Sequence, residues 1–156
     1  MTIEIPLTQG KVALIDDEDF ERVSQFKWHA LKRPAGKFYA EGKVNGRKIR
    51  LHRFLMDAPH DIEVDHIDND GLNCQRYNMR LATHAENGKN RSMGRDNTSG
   101  FKGVHFARRY GKYQVRIVAD GIRYHIGYFD NPVEAARAYD AAARKLHGDF
   151  AALNFP

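Results

Sequence analysis

Between Gly88 and Gly100 the chain reads Gly-Lys-Asn-Arg-Ser-Met-Gly-Arg-Asp-Asn-Thr-Ser-Gly, a polar, basic stretch with no apolar periodicity. Glycine, asparagine and serine at this density punctuate rather than extend regular structure. In a chain of 156 residues such a break leaves two short pieces, each within the range where one small core can close. The expected organisation is therefore a first domain over residues 1–88, a basic linker over 89–99 and a second domain over 100–156. Hydrophobic residues make up 42% and charged residues 29% of the chain, a balance that suits folded domains and excludes a disordered chain.

Cys74 is the single cysteine, which excludes an internal disulfide and any zinc site built on cysteine pairs. A metal would have to be held by oxygen and imidazole. No apolar run approaches the roughly 18 to 20 residues that span a bilayer. The opening Met-Thr-Ile-Glu-Ile-Pro-Leu-Thr-Gln-Gly-Lys also lacks a basic-then-apolar leader. The expectation is a cytoplasmic protein without a membrane partner.

Charge is unevenly spread. From Lys89 to His125 there are nine basic residues and two acidic ones in a chain whose net charge is +5, so the remainder is slightly acidic. Such a concentration predicts a polyanionic partner, above all nucleic acid.

In the first part, Lys11–Ile15 reads as a strand, and Asp16-Asp17-Glu18-Asp19 puts negative charge where a helix would begin. Asn45-Gly46 separates two strand-like runs between Lys37 and Leu55, a two-residue hairpin signal. In the second part, three short strands are predicted over about 102–107, 112–118 and 122–129. One helix, Pro132 to His147, follows. Asn131 can cap it, Pro132 suits its first position, Glu134 completes a capping box and Gly148 ends it. Its six alanines allow a close approach to the sheet. Tyr113, Val115 and Ile117 alternate with Lys112, Gln114 and Arg116, and Tyr124 and Ile126 with Arg123 and His125. The period of two predicts one sheet face on the helix and a polar, basic face opposite. The fold class is α+β. Phe26 and Trp28 are expected in the core of the first part, and His52 is expected to pack nearby rather than bind metal.

Val64-Asp65-His66-Ile67-Asp68 sets a carboxylate beside an imidazole, with Asn78 and Asn87 downstream. Asp65 and the amide oxygen of Asn87 are hard donors suited to Mg²⁺ or Mn²⁺, which commonly take one or two protein ligands and fill the remainder with phosphate and water. His66, neutral near pH 7, can accept a proton from an attacking water. The same residues also serve as turn residues that satisfy their own backbone, and spacing alone leaves both readings open.

The ordered set Leu51-His52-Arg53, Val64-Asp65-His66-Ile67-Asp68-Asn69-Asp70-Gly71-Leu72-Asn73, Asn78-Met79-Arg80-Leu81-Ala82-Thr83, Glu86-Asn87 and Asn90 resembles the HNH homing endonucleases of phages. The resemblance covers about residues 50–91. It implies a ββα-metal unit in which Asp65 and Asn87 bind the metal, His66 is the general base and Asn78 pins the loop that holds His66. His84, one turn before Asn87, is a candidate phosphate contact. Many relatives end the motif with histidine where this chain has Asn87. A phage protein would act in the cytoplasm of its bacterial host.

A second resemblance rests on Ser99-Gly100-Phe101-Lys102-Gly103-Val104, Gly111-Lys112-Tyr113, Ile126-Gly127-Tyr128-Phe129, Glu134-Ala135-Ala136-Arg137-Ala138-Tyr139-Asp140-Ala141-Ala142-Ala143 and Leu153-Asn154-Phe155-Pro156. This set is similar to the DNA-binding domain of plant Apetala and ethylene-response factors. It implies a three-stranded sheet in the major groove of double-stranded DNA, with Lys102, His105, Arg108, Arg109, Lys112, Arg116, Arg123 and His125 facing the duplex. Lys89, Arg91 and Arg95 in the linker would follow the phosphate backbone. His105, Ala107 and His125 depart from the plant pattern, so the target sequence does not carry over.

Together these readings predict a site-directed, metal-dependent DNA endonuclease, with a homodimer natural for double-strand cutting. The alternatives are a sequence-specific DNA-binding regulator with an idle nuclease core and a nucleic-acid packaging protein without sequence preference.

Overall fold

A computed structural model describes residues 1–34, 36–90, 93–94 and 96–156. Arg91 and Arg95, two of the expected backbone contacts, lie outside the described residues. The chain is α+β and forms two compact units, Met1–His84 and Ala85–Pro156.

The first unit starts with an antiparallel pair, β1 (Thr2–Pro6) and β2 (Val12–Asp16). The acidic run stands where a helix begins, as expected: Asp17–Asp19 form a 3₁₀ turn that runs into the short helix α1 (Phe20–Ser24), with Asp19 at its N-cap. Asp16 and Asp19 also reach across the fold. Asp16 Oδ2 accepts from the Arg76 backbone N–H at 2.7 Å, and Asp19 is paired with the Arg76 guanidinium at 2.6 Å. A second antiparallel sheet follows in the order β3 (Trp28–Lys32), β4 (Phe38–Val44), β5 (Arg47–Arg50). Asn45 and Gly46 have φ of 48° and 80°, the left-handed pair that a type I′ turn requires. β5 leads into α2 (Leu51–Leu55). A third pair, β6 (Glu63–His66) and β7 (Met79–Ala82), completes the unit; next in the chain comes α3 (His84–Lys89), which belongs to the second unit from Ala85 on.

The core of this unit gathers Ile5, Ile15, Val23, Trp28, Ala40, Leu51, Leu55, Val64 and Met79, which come from β1, β2, α1, β3, β4, α2, β6 and β7. Trp28 and Phe26 both pack against Phe54, with ring centroids 5.6 Å apart in each case, so both are core residues as expected.

In the second unit β8 (Val104–Ala107), β9 (Lys112–Ala119) and β10 (Ile122–Phe129) form an antiparallel sheet in the order β10-β9-β8, and α4 (Pro132–His147) packs against it. The helix has the boundaries expected from its punctuation. Asn131 Oδ1 accepts from the backbone N–H groups of Val133 and Glu134. Ala135, Ala136 and Ala143 are wholly buried against Val104, Val115 and Ile117. Gly103, at φ 75°, lies against the Tyr139 ring where a Cβ has no room.

β10 departs from the expected alternation. Its register slips between His125 and Gly127, making Ile126 a bulge, and Tyr124 and Ile126 stay 37% exposed. The strand is at the sheet edge, and an extra residue in an edge strand reorients the side chains around it.

The C-terminal segment has no strand to join and is held by one buried carboxylate instead. Asp140, 1% exposed, accepts from the Asn154 backbone N–H at 2.8 Å, the Asn154 amide at 3.0 Å and the Phe155 N–H at 2.9 Å. Asn154 in turn accepts from the Lys102 N–H at 2.7 Å. Replacing Asp140 with alanine strands two backbone N–H groups and removes one of the two acceptors of the Asn154 amide. The expected loss is roughly 3 kcal/mol in the stability of this unit, read as a lower denaturant midpoint at an unchanged slope. An unchanged midpoint would show that the segment is held otherwise.

Candidate functional site

β6 carries Asp65 and His66 side by side, and both are buried, at 5% and 6% exposure. Register places Arg80 of β7 directly opposite Asp65. Its Nε and Nη2 donate to Asp65 Oδ2 at 2.8 and 2.6 Å. An arginine opposite a carboxylate on paired strands is a charge-assisted contact that fixes the orientation of the acid.

The imidazole of His66 is enclosed by rings. The His52 centroid lies 4.9 Å away, nearly perpendicular, and the Tyr39 centroid 6.0 Å away. The Cys74 sulfur is 3.9 Å from Nε2. Burial lowers the pKa of His66 below its ordinary 6.5 against the opposing pull of Asp68, Asp65 and Asp70, so the ring is neutral at physiological pH. Burial pushes the Cys74 thiol up to about 12, which keeps it an inert packing group.

The loop after His66 is folded on itself by Asn78. The Asn78 amide accepts from the Asp68 N–H at 3.1 Å and donates to Asp68 Oδ1 at 2.9 Å and to the Asn73 carbonyl at 2.8 Å. The Ile67 N–H donates to the Asn78 carbonyl at 2.9 Å. Asp68 also accepts from the Asp70 N–H and the Asn73 amide, both at 2.8 Å. Asp65, His66 and Asn78 are thus part of one connected region. Asn87 lies on α3, within the second unit. His84, at the end of the first unit, is exposed and pairs through Nδ1 with Glu63 at 2.7 Å. Among the described residues no group of three or more His, Cys, Asp and Glu side chains is placed to hold a metal ion.

In the second unit, register puts His105 opposite Gln114, Gln114 opposite Tyr128, Arg116 opposite His125 and Val118 opposite Arg123. Residues paired this way project from the same side of a sheet. Gln114, Arg116, Arg123, His125 and Tyr128 line a shallow depression of about 380 Å³, floored by the Gln114–Tyr128 hydrogen bond at 3.0 Å. Arg108 and Arg109 are exposed in the turn after β8. Lys112 is tied to Asp130 at 3.2 Å and Lys89 to Asp120 at 3.5 Å. Lys102 points elsewhere: its ammonium donates to the Lys89 carbonyl at 3.2 Å, and burial lowers its pKa to about 8.

Sequence reasoning assigned no role to Arg80, Tyr39, Gln114 or Tyr128. Gln114 shares the parity of Arg116 along β9 and was within reach. Arg80 was not, because its pairing with Asp65 depends on the register of two strands 15 residues apart.

No family model matches the chain, and no solved structure matches it. A protein of Acanthamoeba polyphaga mimivirus described as an uncharacterized HNH endonuclease is 34% identical over 152 residues, covering 94% of this chain and 76% of the viral one. The chain belongs to the HNH endonuclease family. Protein 3.8 of Escherichia phage T7 is 33% identical over 93 residues, 60% of this chain and 76% of its own length. The Arabidopsis thaliana dehydration-responsive element-binding protein 2D is 48% identical over 66 residues, 40% of this HNH-family chain and 32% of the plant protein. The lineage is that of a nuclease-like or DNA-binding fold. No helix of the described residues is long and apolar enough to cross a membrane.

The neutral histidines of the first unit make its stability depend on acid. His52 is held well below 6.5, first by burial and then by His66, Arg50 and Arg53, and His66 is lowered as well. The unfolded chain takes up protons below pH 6.5 that the folded one refuses, so stability is complete above that pH and falls as pH drops beneath it. Trp28, the single tryptophan, reports this unit alone. Its fluorescence melting temperature is expected to fall between pH 7.5 and 5, and less steeply in His52→Phe. Identical slopes in both proteins would contradict the assignment.

Proposed function

We propose that this chain is a metal-dependent, site-directed DNA endonuclease that hydrolyses phosphodiester bonds. The observation that carries the reading is the buried, neutral imidazole of His66 beside the arginine-oriented carboxylate of Asp65, in a member of this family. His66 acts as general base: its lowered pKa leaves a ring nitrogen unprotonated and able to take a proton from water.

Asp65 and Asn87 are the proposed metal ligands. The donor set fits a hard divalent ion, Mg²⁺ or Mn²⁺, because such ions take few protein oxygens and complete their shell with phosphate and water. When bound, the ion supplies charge stabilisation at the phosphate and the leaving oxygen. Arg80 fixes the carboxylate of Asp65, and Asn78 anchors the loop that follows His66, so neither functional side chain depends on a free loop for its placement.

The second unit is the targeting module, placed in the major groove of double-stranded DNA by its outer sheet face. Its similarity to a plant element-binding protein supports this, as do Arg116, Arg123, His105 and His125 on one side of the sheet. Arg108, Arg109 and Lys112 flank that face. Lys102 contributes through position in the fold, and Lys89, Arg91, Arg95 and His84 through phosphate. The proposed division follows the boundaries 1–88, 89–99 and 100–156, and the protein works in a cytoplasm, as a dimer where both strands are cut. One observation favours a second reading, a sequence-specific DNA-binding regulator with an idle nuclease core: Arg80 already occupies Asp65 Oδ2, where it competes with a cation.

Incubation with genomic DNA of the source separates the two. Discrete breaks with Mg²⁺, none with chelator, and a loss of about 10²–10⁴-fold in His66→Ala are expected. Intact DNA with sequence-specific retention would select the regulator. Independently, Arg116→Ala should weaken binding to the selected sequence by about 1–3 kcal/mol if it pairs with a base. An equal loss on all sequences would make Arg116 a phosphate contact instead.

A further inference from the structure

His52 is as buried as the two residues of the proposed chemistry, at 4% exposure, and no role has been given to it. It sits second in α2, just after Leu51, whose side chain is wholly buried with that of Leu55 one turn on. The helix is short and follows β5 directly, so its first turn is fixed by these two leucines in the core. His52 Nδ1 is buried and makes no hydrogen bond. Its ring contacts are aromatic: edge-to-face with His66 at 4.9 Å and 82°, and with Tyr39 at 5.5 Å and 72°. Tyr39 closes the triangle on His66, and Gly71 lets the loop lie against the Tyr39 ring, where a Cβ would collide.

The triangle has a directional consequence. Perpendicular ring pairs are favoured because the positive edge of one meets the negative face of the other, and rotation of the His66 ring breaks that match with His52. A general base works only when its nitrogen is held within hydrogen-bond reach of the proton it removes. We propose that His52 is a positioning residue, whose ring, with that of Tyr39, fixes the rotation of the His66 imidazole. It is used as a ring and not as a hydrogen-bonding group, which is why its Nδ1 can remain unpartnered. The inference rests on the reading of His66 as the base.

Two variants divide ring from bulk. His52→Phe keeps an aromatic ring on His66, and His52→Leu fills the space without one. With DNA that the wild-type protein cuts, His52→Phe is expected to retain kcat within about threefold. His52→Leu should lose at least tenfold in kcat at unchanged KM and unchanged DNA affinity. Equal kcat in the two variants would overturn the proposal, whether both are fast or both are slow. His52→Met, whose unbranched chain adapts to irregular space, replaces His52→Leu should the latter fail to fold.

The His66 ring is also followed directly by NMR of its imidazole nitrogens in metal-free protein. One sharp set of signals is expected in the wild type and in His52→Phe, and broadened or doubled signals in the non-aromatic variant. Sharp, unshifted signals in all three would overturn the proposal. If the wild type cuts no DNA with Mg²⁺ or Mn²⁺, the nuclease reading fails alone, and the ring signals still decide whether His52 orients His66.

Discussion

The amide of Asn78 is the contact on which the proposed catalytic region depends. One side chain, 2% exposed, joins Asp68 and the Asn73 carbonyl, and the backbone carbonyl of the same residue receives the Ile67 N–H. A primary amide can donate and accept at once, so it ties loop groups of both kinds to one buried side chain. A carboxylate could accept but not donate, and an aliphatic residue could do neither. With the loop closed, β6 ends in a fixed place, and Asp65 and His66 inherit their positions from a paired strand rather than from a flexible connection.

The second unit solves a similar problem with a charge. Its C-terminal residues carry no strand pairing, and Asp140 gathers their N–H groups onto one carboxylate. In both units a short apolar core is supplemented by a single buried polar side chain that binds several backbone groups of an irregular segment. Small cores bury too little surface to order such segments by packing alone. A polar clasp costs little when every member is satisfied, and it becomes a liability when one is removed.

How much of this was legible in the sequence follows from the range of each interaction. The helix Pro132–His147 was legible to its ends, because cap, proline and terminal glycine act within one turn. The Asn45-Gly46 hairpin was legible for the same reason, since the left-handed conformation at both positions is a local requirement. The acidic run at Asp16–Asp19 was legible as the start of a helix, but its ties to Gln75 and Arg76 were not, because these partners lie nearly 60 residues away. The edge bulge at Ile126 was missed as well: alternation in a sequence assumes an unbroken register, and Gly127 beside the slip is the one local sign that it breaks.

The candidate site divides along the same line. Asp65, His66 and Asn78 stood out because the motif of the resemblance is written in them. Arg80 stood in the same motif with no role, and it is register that gives it one, by setting it across from Asp65. His52 carried a motif position too, but the packing of three rings from β4, α2 and β6 is a tertiary fact with no linear signature. Residues that touch a reacting group are therefore the easier ones to read from a chain, since chemistry restricts their type. Those that hold the reacting group in place can be any residue of suitable shape, so only the folded arrangement distinguishes a histidine that packs from one that aims its neighbour.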